Sequence, residues 1–247
     1  MPKQLDLLAI GAHPDAVEMT SGGWLALAAQ QGYRTGILHL TRGEMGTRGT
    51  PKQREREAKA AAKQLGCAAL EFAGLRDGYV HDDDPSVSVV AGLLRKLAPR
   101  IVIAPFTQCH HPDHEAAASL CIKAVHFAGL RGYESKRPHH RVKRLVHARY
   151  SQYFQPSFYV DISGVIAAKR AAIECYASQF EPASEASGES VTRMSRPGFV
   201  DQYLSSNAQL GLRAGCAWAE AYWMRVAAVV QDPLELLDAG PSHHLLR

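Results

Sequence analysis

No apolar run in the 247-residue sequence reaches the ~18 residues needed to cross a bilayer. The start, MPKQLDLLAIGAHPD, has only a short apolar stretch ahead of a His and an Asp. It lacks the long hydrophobic core and small-residue cleavage site of a secretory leader. Cysteine is sparse. The five residues (Cys67, Cys109, Cys121, Cys175 and Cys216) are odd in number and show no C-x-x-C spacing. That argues against a disulfide framework or a thiolate zinc knuckle and makes a reducing, cytoplasmic setting the expectation. Charge of one sign is also missing. With 28 basic and 24 acidic residues the formal net charge is +4, too mild to point to nucleic acid. The first strand–helix turn reads G-A-H-P-D-A rather than G-x-G-x-x-G, and neither a P-loop nor a G-x-S-x-G elbow occurs. Dinucleotide, nucleotide-phosphate and serine-nucleophile chemistry therefore lack their usual markers.

Hydrophobic residues make up 46% and charged residues 21%, the balance of a globular chain with a sizeable core. Apolar runs at 5–12, 34–41, 68–74 and 100–106 read as strands. Helical patterns fall at 22–32, 51–66, 85–99 and 114–129, with Pro51 opening one helix and Gly66 closing it. This alternation predicts an α/β fold, a Rossmann-like and mostly parallel sheet flanked by helices. Beyond residue 130 the pattern loosens into C-terminal elaborations. A basic loop (131–150) precedes a strand (157–164), a helix (165–180), a Ser/Glu/Gly-rich loop (181–198) and a helix (199–215). An aromatic packed stretch follows at 216–224, and the tail 231–247 carries no assignment. One domain over 1–247 is the simplest reading.

Two strand ends are unusually polar: HPD at 13–15 and QCHHPDH at 108–114. Each places His-Pro-Asp after an apolar strand and before a helix. Taken singly, such an Asp caps a helix and such a His faces solvent. Ligands of open parallel sheets, however, bind beyond the strand carboxyl ends where the strand order reverses. If both strands flank that point, His13, Asp15, His110, His111, Asp113 and His114 meet there. Imidazole with carboxylate is a ligand set for zinc and other divalent metals, and proline holds each turn rigid.

These residues resemble the LmbE-like (PIG-L) zinc-dependent N-deacetylases, whose signature is H-P-D-D after a strand and a later H-P-D-H. The blocks standing here are His13-Pro14-Asp15-Ala16 and His111-Pro112-Asp113-His114. The likeness continues through TRGEMGTRGT (41–50), REREAKAAA (54–62), LRDG (75–78), RPHHRVKRL (137–145), PSFYVDIS (156–163) and YASQF (176–180). Within the family these blocks are most similar to the bacillithiol-biosynthesis deacetylases, which act on N-acetylglucosaminyl-malate. The resemblance implies zinc held by His13 and His114 and Asp15 as the general base. It implies His111 as the oxyanion partner or acid and Asp113 as the carboxylate that orients it. Arg54 matches a substrate-contacting arginine, and Asp77 is a substrate-side candidate whose plain alternative is a turn aspartate. The partner implied is a small N-acetylglucosaminyl conjugate, with no nucleic acid or membrane, and the assembly a homo-oligomer, a hexamer.

One departure bears on all of this. Position 16 is Ala where the family pattern has a metal-ligating Asp. Four explanations stand open: Asp15 swings in as ligand, Glu18 reaches in, water or substrate completes the shell, or the chain is inactive. The rival reading is thus a catalytically silent sugar-conjugate-binding protein on the same scaffold. A second departure lies in DQYLSSN (201–207), where the resemblance leads one to expect an arginine near Ser205. The basic loop 131–150 suits an anionic substrate group, a solvated surface or a subunit contact equally well. Arg42 and Arg48 suit substrate or loop support as well as surface charge.

Overall fold

A computed structural model describes residues 4–133, 135–182, 190–229 and 231. The apolar runs of the first half become β1 (Leu7–Gly11), β2 (Thr35–His39), β3 (Ala69–Phe72) and β4 (Ile101–Pro105). Between and after them lie α1 (Ala16–Gln30), α2 (Pro51–Gln64), α3 (Asp84–Leu97) and α4 (Pro112–Ala128). The helix starts follow capping chemistry. Thr50 accepts from the Gln53 amide with Pro51 behind it, and Asp83 accepts from the Ser86 amide. The second half adds β5 (Arg144–Ala148), β6 (Phe158–Asp161), a 3-10 turn (Ser163–Val165), α5 (Ile166–Glu174), α6 (Ala177–Phe180), α7 (Phe199–Ala214) and β7 (Ala219–Trp223).

The strands form one sheet in the order β3-β2-β1-β4-β5-β7-β6. All neighbouring pairs are parallel except those of β7, which runs antiparallel to both β5 and β6. The strand order reverses at β1, where Ala9 sits between Ile37 of β2 and Ile103 of β4. Side chains alternate between two buried faces, as both-sided burial of a parallel sheet requires. Leu7, Ala9, Ile37 and Ile103 pack with Leu25, Ala58 and Ile173 on the α1–α2–α5 side. Leu8, Ile10, Leu38 and Val102 pack with Val90, Leu94 and Leu120 on the α3–α4 side.

Three segments differ from the sequence reading. The basic stretch 131–150 is not all loop, because Arg144–Ala148 is β5, paired in parallel with β4. Its strand signal is masked in the sequence by the run of Arg, Lys and His that surrounds it. The helix expected over 165–180 breaks at Tyr176 (φ −88°, ψ 59°), which turns this fully buried ring inward. The aromatic stretch 216–224 contains β7, the one antiparallel strand among the described residues, which locks β6 to the sheet. Of the loop expected over 181–198, residues 183–189 lie outside the described residues, as does all of the tail 231–247 except residue 231.

α1 starts at Ala16, six residues before its sequence-predicted start, and is held by a buried polar contact. Glu220 of β7 accepts from the Gly23 and Trp24 amides at 2.8 Å each, from Tyr222 Oη at 2.7 Å and from Lys169 Nζ at 2.6 Å. Gly23 is required by this close approach. A Cβ there would come within 2.6 Å of Ile162 and 2.9 Å of Glu220 Oε1.

Candidate active site

The carboxyl ends of β1 and β4 are adjacent, so the two His-Pro-Asp turns meet at the reversal point. His13 is the centre of the meeting. Its Nε2 lies 2.9 Å from Asp77 Oδ1 and 3.2 Å from Asp113 Oδ2. Its ring lies 4.8 Å from that of His111 and 5.3 Å from that of His114, centroid to centroid. His111 and His114 stack on each other at 4.7 Å. Five of the residues singled out in the sequence (His13, Asp77, His111, Asp113 and His114) therefore converge.

The charge pattern of this cluster is asymmetric. Burial opposes the charged form of His13, yet hydrogen bonds to Asp113 and Asp77 outweigh it and raise the imidazole to about 9. Burial likewise works against the Asp77 carboxylate, but His13 and the Met45 amide hold it down at about 2. Asp113 is lowered in the same way, against burial, by His13 and the Gly78 amide. On the other side, burial first and the charge on His13 second push His114 down to about 3. His111 is lowered by the same two causes. One cationic imidazole thus sits between two carboxylates on one side and two neutral imidazoles on the other.

The backbone contacts set the roles open to each ring. The Asp113 amide donates to His111 Nδ1 at 3.2 Å, so a neutral His111 carries its proton on Nε2. The Asp113 carboxylate does not meet the His111 ring. It accepts from the Gly78 amide at 2.8 Å, faces the Val80 amide at 3.4 Å and pairs with His13. Orientation of His111 therefore comes from the Asp113 backbone. His114 Nδ1 meets Cys109 Sγ at 3.2 Å, Cys109 Sγ meets Ser151 Oγ at 3.1 Å, and the Tyr150 ring stands edge-on to His114. With Nδ1 engaged, Nε2 of His114 remains for a ligand.

Asp15 lies beside this cluster. Its φ of 92° is a strained value for a residue with a side chain. Arg54 holds it there. The guanidinium donates to Asp15 Oδ2 at 2.8 Å, to the Pro14 carbonyl at 2.6 Å and to the Gly43 carbonyl at 3.3 Å. A side chain at Gly43 (φ +66°) would overlap that guanidinium. Arg54 is only 4% exposed, so its contacts are spent on the HPD turn and the Gly-rich loop. Burial raises Asp15 above the usual carboxylate range, against the pull of Arg54.

Glu18 points elsewhere. It is fully buried, accepts from Tyr176 Oη at 2.8 Å, and lies 3.7 Å from His39 Nε2. Burial lifts it to about 7 and pushes His39 down to about 3. His110 is exposed and gives its amide to Ser151, while Ser205 is exposed on α7 and bonds its own helix. Arg42 pairs with Glu55, and Arg48 donates to the Glu181 carbonyl. Sequence reasoning missed Tyr176, Glu44, Cys109 and Ser151. Tyr176 lies in YASQF, Glu44 in TRGEMGTRGT and Cys109 in QCHHPDH, but no spacing in the sequence links any of the four to the His-Pro-Asp turns as a support.

Two overlapping donor sets fit a metal. His13, His111 and His114 form one, and His13, Asp77 and Asp113 the other, each with ligand atoms within 4.8 Å of one another. Neutral imidazoles and ionised carboxylates are the donor chemistry a divalent cation needs, and His13, a member of both sets, would give up its proton to the incoming metal. Neither Asp15 nor Glu18 belongs to either set.

The GlcNAc-PI de-N-acetylase (PIG-L) family model matches residues 8–125, from β1 into α4 and across every residue of the cluster. Diacetylchitobiose deacetylase of Thermococcus kodakarensis is 30% identical over 193 residues, which cover 70% of each chain. 4-Oxalmesaconate hydratase of Pseudomonas putida is 27% identical over 195 residues, 71% of this chain and 74% of that one. Among solved structures, a conserved protein of Thermus thermophilus has a TM-score of 0.84 at 38% identity, covering 93% of this chain and 98% of that one. With the two His-Pro-Asp turns on adjoining strand ends, these similarities have one consequence: the chain belongs to the PIG-L, or LmbE-like, family of deacetylases.

Proposed function

We propose that this chain is a zinc-dependent N-deacetylase that removes acetate from an N-acetylglucosaminyl conjugate. N-acetylglucosaminyl-malate, as in bacillithiol biosynthesis, is the substrate we would test first. The observation that carries the reading is the convergence on His13 of two metal-competent donor sets beside a buried carboxylate, Asp15. Deacetylases acting on N-acetylated sugars among the relatives support it. A hydratase among them shows that the scaffold hosts other chemistry, so the argument rests on the site and not on the fold.

Amide hydrolysis needs an activated water, a place for oxyanion charge and a proton for the leaving amine. Zinc, when bound, lowers the pKa of water and polarises the acyl carbonyl. His13 and His114 would hold it. Asp15 takes the proton of the attacking water as general base, and its raised affinity for protons suits that task. Arg54 holds the strained turn through one contact to the Asp15 carboxylate and two to the Pro14 and Gly43 carbonyls. His111 presents Nε2–H to the developing oxyanion, because its Nδ1 is occupied by the Asp113 amide. Protonation of the leaving amine falls to the same Asp15–His111 pair.

Alanine at 16 favours a second reading, a sugar-conjugate-binding protein without turnover. Acetate release from N-acetylglucosaminyl-malate with zinc supplied separates the two. Stoichiometric acetate and free amine support the enzyme. Binding without any acetate, in a zinc-loaded folded chain, assigns the silent protein.

A further inference from the structure

Ala16 offers no lone pair, and Asp15, the carboxylate of the same turn, is held by Arg54 and belongs to neither donor set. Two carboxylates nevertheless face His13 Nε2, Asp77 at 2.9 Å and Asp113 at 3.2 Å. They are not equivalent. Asp113 Oδ2, the oxygen nearest His13, already accepts from the Gly78 amide at 2.8 Å, and Oδ1 faces the Val80 amide at 3.4 Å. Asp77 takes its backbone donor, the Met45 amide, on Oδ2 at 2.8 Å. Its Oδ1, on the His13 side, carries no backbone donor among the described residues.

Asp77 is also held for a ligand's task. Its own amide donates to Glu44 Oε1 at 2.8 Å, while Met45 bonds its carboxylate from the same loop. One contact thus holds the carboxylate and the other the backbone of Asp77 against the Gly-rich segment 41–50, the orienting support that ligating carboxylates require. A ring nitrogen that gives its lone pair to a metal carries no proton to share. With a cation on His13 Nε2, Asp77 Oδ1 loses its hydrogen bond and has the cation as its natural partner.

We propose that Asp77 is the carboxylate ligand of the metal in this chain, filling the role that Ala16 cannot. The proposal rests on the metal-dependent reading above, and it reassigns Asp77 from the substrate side to the metal. Zinc affinity is measured on the full chain by competition with a chromophoric chelator. The wild type, Asp77→Asn and the double variant Ala16→Asp/Asp77→Asn are compared, with circular dichroism checking that each is folded. One zinc should bind per wild-type chain. Asp77→Asn should weaken binding by more than the ~10–100-fold that loss of an outer-shell partner costs. Adding Ala16→Asp should restore most of the loss. Unchanged affinity in folded Asp77→Asn, a wild type that binds no zinc, or a double variant no better than Asp77→Asn overturns the assignment. Acetate release is read separately. Zinc held through Asp77 without acetate removes the catalytic reading and leaves this one standing, whereas turnover and zinc binding that both survive Asp77→Asn do the reverse.

Discussion

Asp15 combines burial, a positive φ and a guanidinium partner, a costly arrangement to keep for a helix cap alone. Its side chain makes no capping bond to α1, so the capping role that a lone His-Pro-Asp suggests is not the one it plays. If Asp15 is the general base, Asp15→Asn should lower kcat by ~10²–10⁴-fold while zinc content stays unchanged. Parallel loss of zinc would mean that Asp15 is a ligand instead. Glu18 offers a second test, on stability. Burial raises it from 4.5 to about 7, whereas an unfolded chain keeps the lower value. Between those two pH values the folded chain holds the extra proton, so stability falls as pH rises through that window and levels off above it. Glu18→Gln removes this proton linkage and keeps an acceptor for Tyr176. The drop in unfolding free energy from pH 5 to pH 8 should therefore be on the order of a few kcal/mol smaller in the variant. Equal drops in both proteins would contradict the buried-acid account. At this scale the site was largely legible. His13, His111, Asp113 and His114 are marked by their turns, and Asp77 stands in the sequence as a substrate-side candidate. The pairing of Asp77 with His13 could not be read, because it joins positions 64 residues apart through a loop with no spacing signal.

Elements were legible where periodicity was clean. β1 to β4 and α2 to α4 fall within the predicted stretches or extend them by one or two residues, while α1 begins six residues early; the signal is cleanest at β1, β2 and β4, which are buried on both faces. β5 was hidden by the charges around it, and β7 by its aromatics and a central glutamate. That glutamate explains itself only in three dimensions. Glu220 is 1% exposed, and its carboxylate binds the middle of α1 together with Lys169. α1 carries the HPD turn at its start, so this ion pair fixes the helix that positions Asp15. Lys169→Met leaves the Glu220 carboxylate buried without its cation and should cost about 3–5 kcal/mol, measured by urea unfolding. Lys169→Met/Glu220→Gln should recover part of it. A loss under about 1 kcal/mol for the single variant would show that the amide donors of Gly23 and Trp24 suffice.

For the whole molecule, the topology makes the site. β1 runs to its neighbours in both directions, so the two His-Pro-Asp turns, nearly a hundred residues apart in sequence, end side by side. Strand alternation predicted the sheet, and the paired motifs predicted which ends would adjoin. What the alternation does not carry is the Gly-rich loop 41–50, which reaches across to brace both Arg54 and Asp77. That loop links Arg54, which holds the proposed base Asp15, to Asp77, the ligand proposed in place of a carboxylate at position 16. The central claim is that the assembled site hydrolyses an N-acetyl amide with the help of a metal. It is tested most directly by following acetate release from N-acetylglucosaminyl-malate in the zinc-loaded, chelator-treated and zinc-restored protein. The account predicts acetate and free amine in equal amounts, loss of both on chelation and their return with zinc. A folded, zinc-loaded chain that releases no acetate, or one whose turnover is indifferent to chelation of its bound metal, would contradict it.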